Sequence, residues 1–430
     1  MASPEPTPAA LLSNLRRRVG AGAGMLVAGV ARSRPSWPAW LSRSFDALVA
    51  RVPEGVALRV NPAKYGFSPG EVPSPPAAPR AAVRLYIAPV NSAGQGYLWA
   101  RAAERLPGVA AVNMYYTRRG GYGFPADNPV PLAVFSNSRA WQDRQFEAVA
   151  AGFTHVIVES GRSVFGGKFD LSPLREVEEL RARGVRVGML AHGSDLRLPS
   201  RHRGLDEWSP FHDPAWSDVP ALEEGALRFR ALLEHSGAPV FVSTPDLLLD
   251  WPAARWLPVV VDPARWQAHG EPLRRDRPVV LHAPTHAVIK GSDLIEPALL
   301  RMHEEGVIDY RRVAGIPAAQ MPALYAAADI VLEQFRIGTY SVTAVEAMAA
   351  GRVVVAHVHD QVRAHVHRAH GLHVPVVNAT IDSLETVLRE VIERPEHFRG
   401  VAAGGPGYVR AVHDGTASAE VLRDFLGLGA

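Results

Sequence analysis

From Val83 onward, short apolar and β-branched runs alternate with amphipathic stretches of helical period. Val83 to Ala88, Thr154 to Glu159, Val185 to Leu190 and Val240 to Ser243 read as strands, with helices over Gln95 to Arg105, Leu171 to Arg183 and Ala221 to His235. The alternation starts again after Trp256 to Trp266. Strands are predicted at Val279 to His282, Tyr310 to Ala314, Ile330 to Gln334 and Val353 to His357, and helices at Ser292 to Glu304, Met321 to Ala327, Val342 to Ala350 and Ser383 to Ile392. Strands without a polar face must be covered on both sides, as parallel strands are when helices cross over between them. The pattern predicts an α/β protein of two Rossmann-like, doubly wound domains facing a central cleft. Residues 81–266 form the first, 267–405 the second, and 406–430 a final helix returning to the first. Ligands of such sheets sit outside the carboxyl ends of the strands, so function is expected in the cleft.

Residues 1–80 read as an N-terminal extension and proline-rich linker. Leu11, Leu12 and Leu15 precede Arg16 to Arg18 and a glycine-rich apolar stretch, Ala21 to Ala31, but no well-formed small-residue cleavage site follows to support a signal peptide. Trp37, Trp40 and Phe45 lie among Arg32, Arg34, Arg43 and Arg51. That mixture suits a membrane interface or an ordinary helical extension packed on the body, so residues 1–65 are a candidate peripheral membrane contact. Pro69, Pro73, Pro75, Pro76 and Pro79 then deny regular structure.

Composition narrows the chemistry. No apolar run reaches the length of a spanning helix, so the expected location is the cytoplasm, with peripheral attachment to the inner face of the cell membrane as an extension of that reading. Cysteine is absent from the 430 residues, which removes disulfides, thiolate metal sites and a cysteine nucleophile. The 46 cations and 43 anions are interleaved, so nucleic acid is not an expected partner. Lysine occurs only at Lys64, Lys168 and Lys290, which singles these positions out.

The segment Gln334 to Ala356 reads QFRIGTYSVTAVEAMAAGRVVVA. It describes a strand end, a loop with Gly338 and Ser341, and a helix opening near Val342 whose free amides and dipole make an anion site. Glu346, in that helix's second turn, could accept hydrogen bonds from the two hydroxyls of a ribose. The stretch resembles the donor-site signature of retaining glycosyltransferases of the GT-B fold, the family 4-like "group 1" type, whose usual form is E-G-F-G followed by E-A-M-A-x-G-x-P-V-V. Glu346, Ala347, Met348, Ala349 and Gly351 match outright, while Thr339, Tyr340 and Ser341 take the places of the first Gly, the Phe and the second Gly. The resemblance implies that Glu346 binds the nucleotide ribose and that the backbone of Tyr340, Ser341 and Val342 faces the diphosphate and sugar. The signature's first glutamate, which contacts donor-sugar hydroxyls, falls at Gly338, and its proline at Val353.

Lys290 and Gly291 close VVLHAPTHAVIKGSD just before the helix at Ser292, where an ammonium could neutralise charge on a departing diphosphate. This is similar to the family's phosphate-binding loop ending in K-G, although Thr285 stands where an arginine is frequent. Gly94 and Gly96, in APVNSAGQG after the first strand, allow close backbone approach to a ligand, which by the resemblance is the donor, and Trp99 at the third glycine position argues against a nicotinamide fingerprint. His192 begins HGSD at a strand's carboxyl end, where a histidine can contact the reacting sugar, assist the acceptor proton, or simply cap the next turn. His357, His359, His365, His367, His370 and His373 cluster without an i, i+4 pair or a carboxylate partner legible in the sequence, so no metal is expected.

The expected function is transfer of a sugar from a nucleoside-diphosphate sugar to a glycan or lipid-linked acceptor, with retention, without metal, and without any cofactor beyond the donor itself. Gly94, Gly96, Lys290, Gly291, Gly338, Tyr340, Ser341, Val342 and Glu346 are the candidate donor-binding residues, and His192 and Lys290 the catalytic ones. The alternatives are a nucleotide-sugar epimerase or a lysine-bound pyridoxal phosphorylase on the same double fold, or a degenerate sugar-nucleotide binder serving as an assembly partner.

Overall fold

In a computed structural model of the chain, residues 54, 58, 65–118, 120–268 and 270–429 are described. Apart from Glu54 and Leu58, the segment 1–64, with its candidate membrane contact, lies outside the described residues. Leu58 is buried in the main core, and the Glu54 carboxylate accepts from the Ala140 amide at 2.8 Å.

The first sheet has seven strands: β1 (Val83–Ala88), β2 (Val109–Thr117), β3 (Asn128–Pro131), β4 (His155–Glu159), β5 (Arg186–Ala191), β6 (Val240–Val242) and β7 (Arg255–Trp256). Their spatial order is β3-β2-β1-β4-β5-β6-β7, and every pairing is parallel. Around them run α1 (Gln95–Ala103), α2 (Leu132–Asn137), α3 (Arg139–Gly152), α4 (Pro173–Ala182), α5 (Pro199–Leu205) and α6 (Val219–Ser236). Leu85 to Ala88 and Val156 to Val158 are wholly enclosed, as strands covered on both faces must be.

The second sheet comprises β8 (Val279–His282), β9 (Asp309–Arg312), β10 (Ile330–Leu332), β11 (Val353–Ala356) and β12 (Val377–Asn378), in the order β12-β11-β10-β8-β9, again parallel. Its helices are α7 (Ala287–Lys290), α8 (Ser292–Glu304), α9 (Met321–Ala327), α10 (Val342–Ala349), α11 (Asp360–His370), α12 (Leu384–Glu393) and α13 (Pro395–Val412). A last helix, α14 (Thr416–Arg423), packs on α1 of the first sheet's layer.

Strand order reverses between β1 and β4 in one sheet and between β8 and β10 in the other. Each reversal sends neighbouring connections to opposite sides and opens a crevice at the strands' carboxyl ends. Trp256 and Trp266 stitch the two halves: Trp256 packs edge-on against His365 and His370, with ring centroids 5.6 and 5.5 Å away, and Trp266 lies 5.5 Å from Tyr325. Among the described residues no helix is long and apolar enough to cross a membrane.

The pattern of apolar runs places β1, β8, α8 and α9 at their observed bounds. It misses β2, whose polar Asn113 interrupts the run, and β3, whose Pro129 and Pro131 sit on the sheet's edge, where missing amides do no harm. It also misses α11, a histidine- and arginine-rich helix that buries only Val362 and Val366.

Candidate functional site

A cleft of about 430 Å³ lies between the two sheets, a size suited to a small organic ligand. The loop after β1 contributes Gly94, the end of β5 contributes His192, and from the opposite side come Lys290, Ser341, Val342 and Glu346. Most of the residues singled out from the sequence are thus brought together, although the chain separates them by up to some 250 positions.

Lys290 ends α7, and Gly291, in the left-handed region at φ 76°, turns the chain into α8. The ammonium of Lys290 meets the Glu333 carboxylate and lies 3.4 Å from Ser341 Oγ, and that hydroxyl donates to Glu333 Oε1 at 2.7 Å. Glu333 follows β10 directly and is wholly enclosed, so a fixed acid positions both the lysine and the serine beside the first turn of α10. Its other oxygen, Oε2, has no hydrogen-bond partner among the described residues. In the sequence Glu333 reads as part of the strand Ile330 to Gln334 and carries no mark of its own.

Glu346 sits on α10 beside Tyr325 of α9. Burial pushes its carboxyl up to about 8, against the pull of the Arg265 charge and a hydrogen bond from Tyr325. Arg265 also lines the cleft, donates to the Ala318 carbonyl at 2.9 Å and has no carboxylate partner within ion-pair distance among the described residues. It is a second cation facing the cleft, and nothing in the local sequence marked it.

His192 Nε2 lies 3.0 Å from Oε1 of Glu159, the last residue of β4. The other oxygen of Glu159 accepts the amides of Val90 and Asn91 at 2.8 and 3.0 Å, tying the loop after β1 to the histidine. Burial opposes a charge on His192, but the hydrogen bond and negative charge of Glu159 outweigh it and raise the imidazole's pKa. Asp195, not His192, caps the following turn by accepting the amides of His192 and Gly193. His192 also borders a second, wider hollow of about 1120 Å³ in the first domain. Arg162, Arg118, Leu174 and Phe229 line that hollow, and the Arg162 guanidinium donates to Tyr116 Oη at 2.6 Å.

Each strand-order reversal therefore carries an enclosed carboxylate, Glu159 or Glu333, holding one basic side chain at the cleft. Neither acid was legible beforehand, because each reads as the polar end of an apolar strand.

Four of the candidates lie behind the cleft rather than on it. A Cβ on Gly96 would fall 2.6 Å from Asn113 Nδ2 and 3.2 Å from Glu159 Oε1, so this glycine lets α1 approach the polar cluster beneath the loop. Gly291 supplies the turn already described. Tyr340 is enclosed and points away from the cleft, its hydroxyl 2.7 Å from that of Tyr408 and 3.2 Å from His413 Nε2. Gly338, at φ 72°, faces the imidazole of His359, whose ring atoms would lie 2.2 to 2.4 Å from a Cβ there. The ring of His359 occupies the space that any side chain at this position would need.

The six clustered histidines separate into three pairs. His365 and His370 rest on Trp256, and His367 stacks on His373 with centroids 4.5 Å apart. His357 and His359 both reach Asp206, which follows α5 in the first domain. The expectation that the cluster has no carboxylate partner is corrected here: Asp206 lies 151 residues before His357, and only the approach of the two domains brings it in. Although burial opposes its charge, the hydrogen bonds from His357 and His359 hold the Asp206 carboxyl well below the usual range.

Residues 272–390 match the family described as Glycosyl transferases group 1. No curated protein matches the chain by sequence. Among solved structures, sucrose-phosphate synthase from Thermosynechococcus elongatus is similar with a TM-score of 0.52 at 14% identity, over 80% of this chain and 99% of that one. HepE from Anabaena in complex with UDP and glucose gives a TM-score of 0.52 at 12% identity over 80% and 99%. At such identities the likeness is one of fold. The chain has the GT-B fold, and its second domain is of the group 1 glycosyl transferase type.

Proposed function

We propose that this chain transfers a glycosyl group from a nucleoside-diphosphate sugar to a glycan or lipid-linked acceptor, with retention of configuration. The observation that carries the reading is the convergence of Lys290, Ser341 and the opening of α10 on one wall of the cleft, with His192 on the other. In support, the HepE structure of the same fold holds UDP and glucose.

In this reading Glu346 accepts hydrogen bonds from the ribose hydroxyls. Lys290, the free amides at the start of α10 and Arg265 meet the diphosphate, and they stabilise it most as negative charge gathers on the leaving oxygen. Metal is not required for this step in the proposal. Glu159 and Glu333 are engaged by His192 and by Lys290 with Ser341, so neither is presented as a nucleophile. The acceptor oxygen therefore attacks the sugar's anomeric carbon on the face from which the diphosphate departs. The new carbon–oxygen bond forms as the old one breaks, and the acceptor proton passes to a diphosphate oxygen. His192, between the donor cleft and the wider hollow, contacts the reacting sugar, and the acceptor enters through that hollow.

The second reading, a sugar-nucleotide binder without turnover, is favoured by one observation: Gly338 lacks the carboxylate of the group's signature, and His359 fills its place. Thermal stabilisation of the wild type and of Glu346→Ala by a panel of nucleoside diphosphates and their sugars tests the donor site. Stabilisation by one nucleotide, lost in the variant, fixes the donor class; no shift with any of them rejects the donor reading. Release of nucleoside diphosphate only when acceptor is present separates transfer from mere binding, and a free altered sugar nucleotide without acceptor would instead mark an epimerase.

A further inference from the structure

We propose that Asp206, His357 and His359 form a binding site for one divalent transition-metal ion that ties the two domains together. One carboxylate oxygen, Asp206 Oδ2, lies 3.1 Å from His357 Nε2 and 2.9 Å from His359 Nε2, and all three donor atoms fall within 4.8 Å of one another. Zinc bonds of about 2.0–2.2 Å at tetrahedral angles set ligand atoms about 3.3 Å apart, so the two oxygen–nitrogen separations lie within a few tenths of an ångström of those around a bound ion. The two imidazoles stand nearly perpendicular, at 85°, with centroids 5.0 Å apart, and so approach the oxygen from different directions, as ligands around a single ion must.

The surroundings hold these donors in place. Asp206 Oδ1 accepts the Trp208 amide at 2.8 Å, leaving Oδ2 to the histidines. The backbone amides of His357 and His359 are bound to the carbonyls of Gln334 and Gly338 at 2.8 and 2.9 Å. Among the described residues the side chain of His357 has no polar partner except Asp206, since its Nδ1 is enclosed and unbonded.

Charge points the same way. Of the carboxylates at this junction, Asp246 is matched by Arg197, Asp250 by Arg201 and Asp213 by Arg336. Asp206, only 5% exposed, pairs with no arginine or lysine among the described residues. A buried carboxylate needs a positive partner, and a divalent ion on two neutral imidazoles supplies it. Two imidazoles and one carboxylate form the donor set that zinc and its neighbours favour. None of the three residues lines the donor cleft, so the ion holds the domains and does not touch the diphosphate.

The test uses the full chain, stripped with a chelator and then dialysed against buffered zinc. We expect one zinc per chain by elemental analysis, a rise of several degrees in unfolding temperature at saturation, and the visible absorption of tetrahedral cobalt when cobalt(II) is substituted. His359→Gln should lower zinc affinity by at least about 10–100-fold, the loss that removing even an outer-shell partner of a ligand brings, while the double variant His367→Gln/His373→Gln should bind as the wild type does. The wild-type stoichiometry and the two histidine variants decide without any change at Asp206. Sub-stoichiometric zinc in the wild type, or zinc retained by His359→Gln and lost with the His367 and His373 pair, overturns the proposal and leaves a hydrogen-bonded latch.

Discussion

Gly338→Glu puts back the carboxylate that the group 1 signature carries, and the structure expects this variant to lose stability without gaining activity. Two costs arise before the carboxylate reaches anything. The backbone is in the left-handed region, at φ 72°, where a residue with a Cβ costs about 1–2 kcal/mol more than glycine. The new Cβ would also lie 2.2, 2.3 and 2.4 Å from Cε1, Nε2 and Nδ1 of His359, an overlap of the kind that costs about 1–3 kcal/mol in a packed interior. The imidazole can escape only by giving up Asp206 Oδ2 at 2.9 Å, on a loop whose backbone is bound to Gly338 itself. The sum, about 2–5 kcal/mol, corresponds to a fall in unfolding temperature on the order of 10 °C for domains of this size. Gly338→Ala isolates these costs from any effect of charge. In a double-mutant cycle with His359→Gly, the steric part should reappear as a coupling of about 1–3 kcal/mol, measured by thermal or denaturant unfolding. If Gly338→Glu melts within about 2 °C of the wild type, or turns over donor faster, the assignment of that space to the His359 ring is wrong.

Other expectations follow from the same geometry. Glu346, pushed up to about 8 from 4.5, keeps its proton in the folded state over a range in which the unfolded chain has lost it. Stability therefore falls as pH rises from about 4.5 to 8, by a few kcal/mol, and Glu346→Gln should flatten that part of the profile. Because ribose hydroxyls favour the ionised acceptor, nucleotide affinity of the wild type should rise between pH 7 and 8 and that of Glu346→Gln should not; titration calorimetry decides. Lys290→Ala should lower kcat by about 100-fold or more with a smaller change in KM, since its charge matters most as the diphosphate departs; full activity in this variant would refute the leaving-group assignment. Glu159→Gln removes the charge that raises the His192 pKa, so a group titrating in the activity profile should move to lower pH, and an unmoved profile would show that His192 does not report there.

Much of the fold was legible because a strand buried on both faces must be apolar throughout. Runs such as Val279 to His282 and Val353 to Ala356 announce themselves and bracket helices of amphipathic period. Edge and polar elements such as β3 and α11 escaped, because exposure relaxes the demand for apolar residues. At the candidate site, Lys290, Ser341 and Glu346 could be marked because their segments resemble the group 1 donor-site signature and phosphate-binding loop; a loop running into a helix offers an anion site but does not by itself single out these side chains. Glu159, Glu333 and Arg265 had no such local sign.

The sequence by itself determined the two sets of alternating elements and the loop-to-helix segment from Gly338 into α10, since both are fixed by neighbours within a few turns of chain. Only the tertiary structure decided which polar groups meet. It set Glu159 against His192 and Glu333 against Lys290 at the two strand-order reversals. It turned Tyr340 inward toward Tyr408 and His413, and it filled the space over Gly338 with an imidazole. It also carried Asp206 across the domain junction to His357 and His359. The reason is physical: hydrophobic periodicity is written along the chain, whereas the partner of a buried charge is chosen by proximity in space, between residues the chain holds far apart.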